Sequence, residues 1–219
     1  MTSTRPQPDS ADSAQTFLDW TRINSKALTI GAAVVVIAGG AYWFTLQAHQ
    51  KKSLNAEKAL MQAQQSLNAG NAALATSDLQ KVATNYSSTN SGTEAAMLLA
   101  ELDYDNGKYQ DGINVLNKAK GDVADFNQPA ILGLIGDGYM QLGKAADAAK
   151  QYDLAADAAS MPNEKAGVRA KAARAYETAG DAAKARAIWS SLADDPDAQT
   201  VAAEARVRLG ELTAQVAKR

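Results

Sequence analysis

Apolar and polar positions divide the chain into two regimes. Ala27 to Leu46, ALTIGAAVVVIAGGAYWFTL, is uncharged throughout, whereas the chain beyond Lys52 mixes apolar and polar residues at helical spacing. At a rise of about 1.5 Å per residue, twenty helical residues cover about 30 Å, the thickness of a hydrocarbon core. A helix is also the single element that satisfies its own backbone polar groups in lipid. Tyr42-Trp43-Phe44 stands at one end, and Phe17 and Trp20 lie just before the other, where an interfacial aromatic belt belongs. The pattern predicts a transmembrane helix over residues 27–46. Ala38-Gly39-Gly40 has the look of a signal-peptide cleavage site, but the stretch ahead of the run is long and mixed in charge. The run also continues to Leu46, so an uncleaved anchor is expected.

Around the span the pattern is simpler. Residues 1–15 are polar, carry two prolines and show no apolar periodicity, which predicts a disordered tail. Residues 16–26 read as an amphipathic lead-in, with Phe17, Leu18, Trp20 and Ile23 on or near one face. Residues 47–219 then read as one helical domain, its first stretch continuing the helix out of the membrane.

Inside that domain the chain repeats. Gly70, Gly107, Gly143 and Gly180 fall 37, 36 and 37 residues apart, each between two helical patterns. Seven residues before each glycine stands a small residue: Ala63, Ala100, Gly136 and Ala173. Five after stand Ala75, Gly112, Ala148 and Ala185; nine after, Leu79, Leu116, Tyr152 and Trp189; twelve after, Val82, Ala119, Ala155 and Leu192. A glycine supplies the left-handed turn that ends one helix and reverses the chain. Small residues at fixed offsets let the two helices approach, and the large one fills the gap to the next pair. No such unit buries its apolar face alone, so the units must stack into a solenoid. Ala198 to Val216, with Val201, Ala205, Leu209, Leu212 and Val216 at helical spacing, predicts a helix that closes the open end.

The register resembles the tetratricopeptide repeat, most clearly in Gly136-Asp-Gly-Tyr139, Leu142-Gly143, Ala148, Tyr152 and Ala155. It recurs in Ala173-Arg-Ala-Tyr176, Ala179-Gly180, Ala185 and Trp189, with Pro196 near the closing proline. Asp103 and Ser66 stand where the family has an aromatic, although Tyr104 is next door. The resemblance implies an all-α fold: one N-terminal transmembrane helix, an α-solenoid of about four tetratricopeptide-like helix pairs and a C-terminal capping helix. In that family the first helix of each pair lines the concave face. The resemblance therefore directs Leu60, Gln64 and Leu67 inward from the first pair, and Met97, Glu101 and Tyr104 from the second. Asp137 and Met140 follow from the third and Arg174 and Glu177 from the fourth, forming a protein-binding groove.

An anchor followed by such repeats is similar to the bacterial YfgM-like family. That resemblance implies an inner-membrane protein with a cytoplasmic tail and a periplasmic repeat domain. It further implies partners among the Sec translocon, periplasmic chaperones and translocated chains. The charges flanking the span, Arg22 and Lys26 against Lys51, Lys52 and Lys58, do not set the orientation by themselves. Gly31, Ala32, Gly39 and Gly40 would also allow close helix contact, so a structural subunit of another integral-membrane complex is the alternative.

Composition narrows the chemistry. Net charge is −2, so no general affinity for polyanions is implied and no nucleic-acid partner is expected. There are no cysteines, which removes thiolate catalysis and thiolate metal sites. The single histidine, His49, sits beside Lys51 and Lys52 and has no partner ligand, so it reads as a solvated interfacial side chain. No nucleophile elbow, P-loop, dinucleotide fingerprint or zinc motif is present. The carboxylates at Asp103 and Asp105, at Asp122 and Asp125 and around Pro196 lack the alternation of a calcium loop; those at 194, 195 and 197 read as loop and capping residues. The expectation is a binding protein, not an enzyme, with no cofactor and no small-molecule substrate. Charge is uneven: Glu94 to Asp157 holds eleven acids against five lysines, and Lys165 to Arg186 six bases against two acids. Such polarity orients an approaching partner.

Overall fold

The computed structural model describes residues 20–121 and 125–217. The tail, Phe17, Leu18 and Asp122 lie outside the described residues, as do the side chains of Asp125 and Val216. Two compact units are present, residues 1–51 and Lys52–Arg219.

In the first unit, residues 20–23 are helical, Asn24 is a turn, and helix α1 (Ser25–Asn68) begins. Its apolar part is long and apolar enough to cross a membrane, and none of that window is buried. Ile30, Val34, Val35, Val36 and Ile37 are exposed, as are Tyr42, Trp43 and Phe44. For this many large apolar side chains to stay uncovered in water would be costly at about 25 cal/mol per Å².

The second unit is a helical stack. The last part of α1 pairs with α2 (Ala72–Asn85), α3 (Asn90–Asp105) with α4 (Tyr109–Ala119), α5 (Gln128–Gln141) with α6 (Ala145–Ala158), and α7 (Pro162–Thr178) with α8 (Ala182–Asp194). Helix α9 (Gln199–Ala217) packs on α8 and α7. Short 3₁₀ turns at Asp125–Asn127 and Pro196–Ala198 introduce α5 and α9. No strand occurs among the described residues.

Every pair reverses in the same way. Gly70, Gly107, Gly143 and Gly180 take φ of 74°, 73°, 71° and 83°. The N–H of the residue after each glycine donates to the carbonyl five back: Asn71 to Ser66, Lys108 to Asp103, Lys144 to Tyr139, Asp181 to Tyr176. The glycine N–H donates three back, which completes a Schellman ending. In the first and fourth pairs the next residue also caps the second helix. Asn71 accepts from the Leu74 N–H and Asp181 from the Lys184 N–H. Asp195 likewise caps the turn before α9 by accepting from the Asp197 N–H.

The small and large positions of the repeat register form the core. Ala63, Ala75, Ala100, Ala148, Ala173 and Ala185 are fully buried, and so are Leu79, Leu116, Trp189 and Leu192. Ala119 is the one member of the register left half-buried. A Cβ added at Gly136 would stand 2.6 Å from the Tyr152 ring, which is why that helix has no side chain there. The closing helix buries Ala205 and Leu212 against the same core, and Ala202 is buried beside them in sequence. The core is continuous from Ala148 to Leu212, whereas the first two pairs use two smaller aliphatic clusters, one around Leu79 and one around Leu116 that runs on to Ile131 and Ile135 of α5.

Candidate binding surface

The first helices of successive pairs are joined by polar bridges at nearly the repeat spacing. Gln64 on α1 donates to Glu94 on α3 at 3.1 Å. Tyr104 on α3 donates its hydroxyl to the Leu134 carbonyl on α5 at 3.0 Å. Lys171 on α7 reaches both oxygens of Asp137 on α5, at 3.0 and 2.9 Å. Arg174 on α7 grips Glu204 on α9 through Nε at 2.7 Å and a terminal nitrogen at 2.5 Å. Four of the ten groove residues expected from the register, Gln64, Tyr104, Asp137 and Arg174, thus hold neighbouring repeats together.

Electrostatics follow from these contacts. The Arg174 bridge lowers the Glu204 carboxyl below its ordinary range and holds Arg174 charged. Burial, and then the Asp137 charge, push the Tyr104 phenol up, and burial with the hydrogen bond to Asp137 does the same to Tyr152. Both tyrosines therefore stay neutral donors. Tyr152 donates to Asp137 at 2.6 Å, so this carboxylate is shared between the phenol and Lys171.

The other expected residues separate by environment. Leu60 is buried in the first aliphatic cluster and Leu67 packs at its edge. Met140 packs against the C-terminal core. Glu177 accepts the indole N–H of Trp189 and lies 3.8 Å from Arg208. Met97, Glu101 and Asp137 are the three that come together: they line one open concavity of about 370 Å³ across α3, α5 and α7. Leu98, Gly133, Leu134 and Val168 complete its apolar floor, and Glu94 and Glu164 join its acidic edge. Lys171 is its single cation and is already paired with Asp137. The register placed one stripe per helix; on α3 and α5 the added residues lie three or four positions from that stripe, on the same helix face, whereas Val168 and Glu164 on α7 lie farther toward its start. Helical-neighbour spacing alone would have found Glu94, Leu98, Gly133 and Leu134.

Such a surface is apolar on its floor and acidic at its edge. It can take an apolar side chain on its floor while its carboxylates, Glu94, Glu101 and Glu164, receive basic neighbours.

A family profile described as "Tetratricopeptide repeat-like domain" matches residues 45–172. No curated protein matches the sequence. Among solved structures, the chain is similar to nearly identical TPR-like repeats of a putative kinesin light chain from Podosopora anserina. That match has a TM-score of 0.56 at 15% identity and covers 74% of this chain and 87% of that one. It is also similar to a MamA RS-1 ArsTM double mutant, with a TM-score of 0.53 at 18% identity, covering 75% of this chain and 97% of that one. At these identities the likeness is one of fold.

Proposed function

We propose that this chain, which belongs to the tetratricopeptide repeat-like family, is a membrane-anchored scaffold that binds polypeptide segments. The observation that carries the reading is the concavity across α3, α5 and α7, apolar on its floor and edged by Glu94, Glu101, Asp137 and Glu164. Its guest is an extended or helical segment with an apolar residue next to Lys or Arg. The exposed apolar part of α1 supplies the anchor, which raises the local concentration of the repeats over any partner in the same membrane. Resemblance to the YfgM-like family supports a bacterial inner-membrane location, periplasmic repeats, and the Sec translocon, periplasmic chaperones or translocated chains as partners.

Photo-crosslinkers placed at Met97 and Val168 in native membranes, with exposed Asp157 as control, test the reading. Adducts at the first two positions to translocon subunits, chaperones or secretory chains are expected. Their loss on Glu101→Lys with Glu164→Lys would show that the acidic edge recruits the guest. Adducts confined to cytosolic proteins would reverse the orientation and end the translocon reading.

A second reading has its own support. Gly31, Gly39 and Gly40 have open space where a side chain would stand, so this helix can receive another helix closely. A structural subunit held through its span would lose its complex on Gly39→Leu with Gly40→Leu while keeping the crosslinks from Met97.

A further inference from the structure

A second cleft lies on the layer of second helices, between α2 and α4, with α3 as its floor. Its volume is about 630 Å³. It exists because of one register position. Four residues before the repeat glycine, the third and fourth pairs carry Tyr139 and Tyr176, and the second carries Asp103. Tyr176 fills the gap between its second helices, donating to Asp153 on α6 at 2.5 Å beneath Lys184 on α8. Asp103 is too short to do so, and the space above it stays open.

Asp103 is also without a partner. It is 8% exposed, one of two buried polar residues among the described core positions, and its carboxylate lines the cleft. No hydrogen bond or ion pair reaches that carboxylate from any described residue; the Lys108 N–H donates to its backbone carbonyl instead. The carboxylate looks into the open cleft, so its hydration is restricted by the walls, not abolished, and a positively charged donor there supplies the partner it lacks. Burial pushes the Asp103 carboxyl up, with Lys108 pulling it part of the way back and Asp111 adding to the rise.

We propose that the cleft between α2 and α4 is a docking site for an arginine side chain of a partner polypeptide, with Asp103 as its buried counter-ion. The guanidinium fork presents five donors in a plane. A carboxylate takes two of them, and the side-chain carbonyl of Gln80 on the α2 wall is available for another; that of Asn114 on the opposite wall accepts from Gln110 at 3.1 Å and keeps one lone pair. Leu99 and Val115 give the aliphatic stem an apolar wall. At the rim stand Lys108 and Lys118, opposed by Asp111 alone. That edge favours an arginine flanked by acidic residues over one within a basic run. The site takes the opposite neighbours from the concavity on the first helices, so the two surfaces select different segments.

The test uses the full chain, isotope-labelled in nanodiscs, and three capped tripeptides: Glu-Arg-Glu, Glu-citrulline-Glu and Lys-Arg-Lys. Glu-Arg-Glu is expected to bind saturably with Kd on the order of 1 mM, as befits so small a ligand. It should shift the amides of Thr76, Thr84 and Asn114. Citrulline, which keeps the shape and loses the charge, and Lys-Arg-Lys should each bind at least tenfold more weakly. Asp103→Asn should abolish the response, Asp103→Glu should retain part of it, and Asp157→Asn should leave it unchanged. Asp103→Tyr gives an independent arm, because it should close the cleft, remove binding and raise the melting temperature. Equal binding of the citrulline peptide, wild-type binding by Asp103→Asn, or no binding to the wild-type chain would each overturn the proposal.

Discussion

The two halves of the repeat stack share one backbone plan and differ in what fills it. The third and fourth pairs use Tyr152, Tyr176 and Trp189, and with α9 they build a single core. The first two pairs have the same glycine turns but bury only Leu, Ile, Val and Ala at the matching depths, in two separate clusters, the second of which borrows Ile131 and Ile135 from the third pair. The turn residues therefore set the architecture, while the large residues decide how far one pair is locked to the next. Where an aromatic is missing, at Asp103, the outer layer opens into a cleft.

Trp189→Ala should have the largest effect. It empties a fully buried site in the continuous core, at a cost of about 3–5 kcal/mol. At about 2–4 °C per kcal/mol, that is roughly a 10 °C fall in melting temperature by circular dichroism. Leu79→Ala, equally buried in the aliphatic half, should cost about 2–4 kcal/mol. Its loss of amide protection should stay within the first two pairs, whereas Trp189→Ala should loosen everything from α6 to α9. Matching hydrogen-exchange footprints would erase the distinction between the halves.

Gly136→Val comes next. Its side chain would collide with the Tyr152 ring, at about 1–3 kcal/mol, and should disturb the Tyr152 to Asp137 hydrogen bond. Smaller again is the Arg174–Glu204 bridge, which is partly solvated on both sides. A double-mutant cycle should give a coupling of about 0.5–1 kcal/mol. Because Glu204 is lowered in the folded state, that coupling is present above its ordinary value of 4.5 and should vanish as pH falls through the folded pKa.

The smallest effect has the opposite sign. Asp103 is raised on folding, so the native state holds its proton more tightly than the unfolded chain does. Its ionisation lowers stability as pH rises above the ordinary value of 3.8. Asp103→Asn should therefore stabilise at pH 7, with the gain shrinking toward zero in acid. A constant gain across that range would remove titration of Asp103 as the cause.

Much of this architecture is legible in the sequence because backbone demands admit few residues. A positive φ at the end of each first helix selects glycine, and close helix approach selects Ala63, Ala100 and Ala173. Side-chain placement on the open face is harder to read. Gln64, Tyr104, Asp137 and Arg174 share the register of a groove, yet each finds a partner about thirty residues away, and a one-dimensional pattern does not encode such pairings. Leu60 occupies an equivalent position but sinks into the first aliphatic cluster, with Leu67 at its edge. Asp103 is legible as a departure from the family pattern; the cleft above it is not, because it depends on the spacing of α2 and α4, which only three dimensions supply.

The rungs between first helices also give the stack a mechanical character. Successive first helices are tied by one or two exchangeable polar bridges, so bending the layer trades a protein contact for a water contact at little net cost. Two of the four rungs, Lys171–Asp137 and Arg174–Glu204, are ionic and partly solvated, and their strength falls as salt screens them. The repeat unit is thus a spring whose softness rises with ionic strength toward its C-terminal end.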